Sequence, residues 1–307
     1  MMQATQVSTP ALPLATLRGL VAVARPKQWT KNVLVFGPLV FAHNLFDADL
    51  LSRALLTFAA FCLVSSAIYV VNDVLDVEHD RQHPTKRFRP LASGQLGIGL
   101  AIGWAVLLAI AGISLGMAAD LTAGAAAAAY VALMLAYSMG LKNMVILDVF
   151  AIGCGFILRA VAGALAIHVI ISPWLYVCTM LLALFLGFSK RYNELLTLDR
   201  QASSHRPALE EYSPAMLEQM TSILSASTIM AYSLYTFSAE SLPANHSMML
   251  TVPFALYGIF RYYYLVHKKN LGGAPELVLL HDRPLLTTIL LWGATSIGVL
   301  YSSGLAA

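Results

Sequence analysis

The sequence predicts an all-α protein that crosses a membrane many times, and three observations predict it. Hydrophobic residues make up 58% of the 307 positions and charged residues only 11%, too few polar groups to cover a soluble domain of this size. The apolar residues gather into nine runs, near 30–46, 52–72, 96–118, 122–140, 145–167, 173–189, 221–238, 246–266 and 284–305. Each is close to the ~20 residues that carry an α-helix through a hydrocarbon core of ~30 Å. The basic residues are one-sided: of the 19 Lys and Arg, all but Arg53, in a predicted outer loop, and Arg159, within a predicted span, fall on the side that holds the amino terminus. Helices are the expected spans because a backbone facing lipid must satisfy its hydrogen bonds internally.

Taken in order, residues 1–15 are polar and rich in Ser, Thr and Pro, and are expected to form a disordered tail before a single transmembrane domain over 16–307. Residues 16–31 read as an amphipathic lead-in on the membrane surface, marked by Arg18, Arg25, Lys27 and Lys31. The first twenty residues lack a basic region followed by an apolar core and cleavage site, so no signal peptide is expected. Predicted outer loops are short, whereas the inner loops, Asn72 to Gly94, 141–144, 190–214 and 267–283, hold nearly all ionisable groups. Cytoplasmic flanks collect Lys and Arg, which places the amino terminus in the cytoplasm and the carboxyl terminus outside the cell (inner) membrane. Polar groups gathered on one face point to chemistry at that face rather than a transport path, which scatters them along its spans. The net charge of +3 is then a topology signal and makes no case for nucleic acid. Cys62, Cys154 and Cys178 fall within spans without a CxxC and read as small buried hydrophobes. Gly153, Gly155 and Gly163 suit close helix packing, and nothing in the composition excludes an oligomer.

The chemistry concentrates between Asn72 and Gly94, in NDVLDVEHDRQHPTKRFRPLASG. Asn72, Asp76 and Asp80 are spaced i, i+4, i+8, which puts them along one helix face with Asp73 beside them. Asp73, Asp76 and Asp80 repel one another unless a cation sits between them, and oxygen donors select Mg²⁺ or Mn²⁺, which usually arrives with a phosphate or diphosphate attached. Lys86, Arg87 and Arg89 would complete a phosphate clamp. His79 and His83 are poor candidates for such an ion. A second cluster, Lys190-Arg191-Tyr192-Asn193-Glu194, follows the sixth span. An ordinary stop-transfer flank would look similar, but in a closed bundle it would face Asp76 and Asp80. Arg159, alone among apolar residues, has Asp148 as its obvious partner or else faces a cavity.

Asn72-Asp73-x-x-Asp76-x-x-x-Asp80 followed by Lys86-Arg87-x-Arg89-Pro90-Leu91-Ala92-Ser93-Gly94 resembles the first aspartate-rich motif of the UbiA superfamily of intramembrane prenyltransferases. The resemblance implies a bundle of nine transmembrane helices around a cytoplasm-facing cavity, with Mg²⁺ held on a diphosphate. Typical members carry a second acidic motif after the sixth span, where this chain has Lys190 to Glu194. That departure, with Arg25-Pro26-Lys27-Gln28-Trp29-Thr30-Lys31-Asn32, the run from Arg159 to Gly163 and Asp282-Arg283-Pro284, is similar to one branch of the superfamily, from about Arg25 to Pro284. Members of that branch move 5-phosphoribose from phosphoribosyl diphosphate to a polyprenyl phosphate, a membrane lipid. The resemblance implies Asn72, Asp73, Asp76 and Asp80 at the reacting centre. It also implies substrate contacts from Lys27, Lys31, Lys86, Arg87, Arg89, Arg159, Lys190, Arg191, Tyr192 and Glu194, since three anionic groups must share one site. The alternative is transfer of a prenyl group from its diphosphate to an aromatic or other small acceptor.

Overall fold

The computed structural model describes residues 14–170, 172–198, 207–239, 241–269, 271–273 and 275–303, all helix, turn or loop. The helices are α1 (Leu14–Ala24), α2 (Gly37–Phe41), α3 (Ala48–Leu75), α4 (Val77–Gln82), α5 (Ile98–Ala119), α6 (Leu121–Met139), α7 (Leu147–Ala166), α8 (Pro173–Leu198), α9 (Pro207–Glu210), α10 (Pro214–Ser238), α11 (Val252–Lys269), α12 (Pro275–His281) and α13 (Arg283–Ser303). The tail expected over 1–15 lies outside the described residues except for Leu14 and Ala15, which open α1.

Local chemistry starts the long helices where the apolar runs begin. Asp47 caps α3 by accepting from the amides of Asp49 and Leu50, each at 3.0 Å. Asp120 caps α6 through Thr122 N at 2.7 Å, and Ser213, ahead of Pro214, caps α10 through Met216 N at 3.2 Å.

Six helices among the described residues are long and apolar enough to cross a membrane: Ala48–Leu75, Ile98–Ala119, Leu121–Met139, Leu147–Ala166, Pro173–Leu196 and Arg283–Ser302. The expected runs at 221–238 and 246–266 form α10 and α11, whose polar residues lower their apolarity. In α10 these are hydroxyls that turn back on their own helix, Thr221 to Leu217 O at 2.9 Å and Thr228 to Leu224 O at 2.6 Å. The run at 30–46 differs from the single helix expected of it. A 3-10 segment spans Pro26–Phe36 and the short α2 follows, because Pro26 and Pro38 supply no amide to the helical ladder. This broken segment is nevertheless central, with Asn32, Val35 and Leu39 fully buried. Gly163 of α7 permits the approach, since a Cβ there would lie 2.0 Å from Val35 O. Around it α3 packs on α5, α6 on α7, α8 on α10, and α11 on α13.

Candidate active site

The end of α3 splits the motif into two facing pairs. Helical bonding runs through the break at Asp76, from Asp76 N to Asn72 O at 2.9 Å and from Asp80 N to Asp76 O at 2.8 Å. Residues seven apart on a helix are only about 20° apart around its axis. Asp73 and Asp80 therefore share a face, and both are 3% exposed. Arg89 Nη1 lies 3.0 Å from Asp73 Oδ1 and 2.6 Å from Asp80 Oδ2, and Arg25 also pairs with Asp73. Asn72 and Asp76 turn instead toward the end of α6. Ser138 Oγ donates to Asn72 Oδ1, and Lys142 Nζ lies 3.0 Å from Asp76 Oδ1. The single row expected of Asn72, Asp76 and Asp80 is thus corrected: the tertiary partners sort the four residues by face.

The bases reach this place by chain reversals. Arg25 occupies the left-handed region at φ 50° between α1 and the 3-10 segment, with its guanidinium 5.2 Å over the Tyr69 ring. Arg89 follows the 3-10 turn Lys86–Phe88, and Leu91 and Leu96 beyond it are buried. Lys27, Lys86 and Arg87 are exposed on the flanking turns, and Lys31 is half-buried.

At the end of α8 the arrangement is inverted, with a base at the centre. Arg191 is 1% exposed. Its Nε lies 2.6 Å from Asp148 Oδ2, Nη1 pairs with Glu194 and Nη2 is 3.5 Å from the Tyr137 hydroxyl. Asp148 is fully buried and also accepts from the Tyr212 hydroxyl at 2.8 Å, which in turn accepts from Ile146 N at 2.6 Å. Burial pushes the Tyr212 hydroxyl up and the Asp148 carboxylate acts in the same sense, so it stays protonated and donates. Lys190, its side chain 41% exposed, sits 3.9 Å from Glu194. Tyr192 meets the His267 ring at a tilt of 43° with centroids 4.6 Å apart. The loop after α11 lies on this end, since a Cβ at Gly272 would come within 3.0 Å of Asn193 Cβ and 3.1 Å of Ser189 O.

The pairing expected between Asp148 and Arg159 does not form. Eleven residues span about 16 Å of helix axis, too far for a salt bridge. Arg159 donates instead to Asn32 Oδ1 at 2.7 Å, Gly155 O at 2.7 Å and the Tyr130 hydroxyl at 3.0 Å. The two charged ends meet through α6, whose consecutive Tyr137 and Ser138 touch Arg191 and Asn72 respectively. Sequence reasoning missed Ser138, Tyr137 and Tyr212, which belong to no motif; the seven-residue spacing of Asp73 and Asp80 was the available signal that those two share a face.

No three His, Cys, Asp or Glu side chains among the described residues already form a metal cage. The donor chemistry nonetheless suits a hard divalent cation: Asp73 and Asp80 are buried carboxylates already gathered around one positive group, with Asp76 a turn away.

The chain matches the UbiA prenyltransferase family over residues 33–282. It belongs to that family. A UbiA homologue from Archaeoglobus fulgidus bound to DMAPP and Mg²⁺ has the same fold, with a TM-score of 0.72 at 17% identity over 92% of this chain and 99% of that one. Decaprenyl-phosphate phosphoribosyltransferase of Corynebacterium glutamicum is 39% identical over 283 residues, 89% of this chain and 84% of its own. The protein of that name from Mycolicibacterium smegmatis is 34% identical over 98% of this chain and 100% of its own. This UbiA family member is therefore a multi-pass membrane protein.

Proposed function

We propose that this UbiA family member transfers 5-phosphoribose from phosphoribosyl diphosphate to a polyprenyl phosphate, decaprenyl phosphate in the name its relatives carry, releasing diphosphate. The observation that carries this reading is the end of α8: a guanidinium held between two carboxylates, in a chain whose similar relatives are named for that reaction. With α10, α11 and the broken 26–41 segment added to the six apolar helices, the chain would cross the membrane nine times. The amino terminus and the active-site cavity face the cytoplasm, as the one-sided Lys and Arg require.

In this reaction the anomeric C–O bond to diphosphate breaks as a phosphate oxygen of the lipid bonds to the same carbon, through an oxocarbenium-like transition state. The lipid oxygen is already ionised at neutral pH, so no side chain needs to take a proton. Catalysis rests on placing the two substrates and on stabilising charge as it develops. Asp73, Asp76 and Asp80 would hold Mg²⁺ or Mn²⁺, which when bound neutralises the departing diphosphate. Asn72, fixed by Ser138, orients that group. Lys27, Lys31, Lys86, Arg87, Arg89 and Lys142 meet the phosphates, with Lys190 on the opposite side. Arg191 and Tyr192 act through their neighbours, and Arg159 holds the broken segment in place through Asn32.

Purified protein given labelled phosphoribosyl diphosphate, decaprenyl phosphate and Mg²⁺ should yield labelled lipid. The intact α3 motif also suits a prenyl diphosphate donor, so turnover of prenyl diphosphate without labelled phosphoribosyl lipid would overturn the proposal.

A further inference from the structure

Counted by residue type, the end of α8 looks like a phosphate clamp, but its contacts cancel the charge. Arg191 is engaged by Asp148 and Glu194, and Lys190 stands 3.9 Å from the same Glu194. Among these described contacts two bases meet two carboxylates, so the outward cation is Lys190 and not Arg191. Arg191, fully buried, has its guanidinium turned to Asp148, Glu194 and Tyr137. What α8 presents outward is Lys190 and the carboxylate of Glu194, the latter 29% exposed at its side chain. A carboxylate repels phosphate. It accepts hydroxyl donors well, because a hydrogen bond to an ionised acceptor is stronger than a neutral one.

We propose that Glu194 determines donor specificity by accepting hydrogen bonds from the ribose hydroxyls, and that Asp148, Tyr212 and Arg191 are positioning residues that hold it there. This rests on the phosphoribosyl reading above. Phosphoribosyl diphosphate carries a vicinal diol that a prenyl diphosphate lacks, so a fixed carboxylate linked through Arg191 and α6 to the Asn72 end of the motif favours one donor over the other. A site that bonds a substrate hydroxyl disfavours an analogue lacking it, because the acceptor is then left without that donor. The geometry suits the role. Arg191 Nη1 anchors one oxygen of Glu194, and its Nε is locked by Asp148, which Tyr212 holds from the other side. Tyr137 links the assembly to Ser138 and Asn72, so the sugar reader and the metal-binding motif are placed by consecutive residues of α6.

The test is competition against labelled phosphoribosyl diphosphate on the purified full chain, using ribose 5-phosphate, 2-deoxyribose 5-phosphate and inorganic diphosphate. For the wild type, ribose 5-phosphate should compete about tenfold more tightly than its 2-deoxy analogue, the scale of one hydrogen bond to a charged group. Glu194→Ala should bring that ratio to about one while diphosphate competes as before; Glu194→Gln, which keeps an acceptor and the side-chain shape, should retain part of the ratio. The glutamine variant keeps the claim falsifiable if the alanine variant does not fold. A ratio preserved in both variants would overturn the proposal, as would equal weakening of all three competitors or a raised Mg²⁺ requirement with the ratio intact. Failure of the underlying reading shows separately, as wild-type protein that binds neither sugar phosphate yet consumes a prenyl diphosphate.

Discussion

The ends of α3 and α8 use the same ingredients in opposite order. At α3, buried carboxylates draw in bases from other parts of the chain: Arg25, 48 residues away from Asp73, and Arg89, 16 away. At α8 a buried base draws in carboxylates, Asp148 from 43 residues away and Glu194 from the next helical turn. Each central charge survives burial only because partners of opposite sign reach it, since an unpaired ion away from water is costly. The first arrangement leaves carboxylates gathered for cation chemistry; the second hides its cation and presents Glu194 and Lys190. Anion binding therefore cannot be read from the number of bases in a motif, only from which of them remain outward.

The largest effect that would break this contrast is on folding. Asp148→Ala strands Arg191 in the interior and should cost about 3–5 kcal/mol of stability. Asp76→Asn, at a side chain 39% exposed, should barely shift the melting temperature in detergent. Equal melting temperatures for the two variants would dissolve the distinction. On activity the order reverses. Asp76→Asn and Asp80→Asn should lower kcat about 10²–10³-fold, as loss of a group that stabilises transition-state charge does, in protein that still folds. Near wild-type Mg²⁺-dependent turnover in both would reject the metal assignment. Lys190→Ala sharpens the comparison at α8: the KM for phosphoribosyl diphosphate should rise about tenfold. An unchanged KM for both substrates would remove Lys190 from the site.

The smallest effect lies at the start of α13. Arg261 donates to Asp282 at 3.1 and 2.8 Å, which holds that carboxyl below its ordinary range. A lowered folded pKa means the pair stabilises above the unfolded carboxylate value of ~4 and loses this as pH falls through the folded value. Asp282→Asn should thus cost about 1 kcal/mol or less at neutral pH, and its melting curve should converge on wild type in acid. A constant difference across pH would show that the pair contributes nothing through ionisation.

The gathering of charge after α3 was legible because its residues are neighbours in sequence, but their division into two facing pairs was not, since it depends on Arg89, Lys142 and Ser138. Lys190 to Glu194 was legible as a cluster, but the direction of each side chain was not. The break in the 30–46 run was not read from the sequence, although Pro38 lies within it, and neither was the burial of Asn32 against Arg159. Arg159 shows why: its separation from Asp148 suggested a pair in one dimension that a helix holds about 16 Å apart.

By itself the amino-acid sequence determined that the chain is helical, crosses a membrane and carries carboxylates close to bases after its second apolar run. Those properties depend on composition, on periodicity and on residues within two helical turns. The tertiary structure alone decided that Asp73 and Asp80 share Arg89, that Asp148 and Tyr212 lock Arg191, and that α6 joins the two ends. Each of those needs partners from different helices. In a low-dielectric interior it is the partner brought by packing that settles whether a charge is hidden as structure or presented to a substrate.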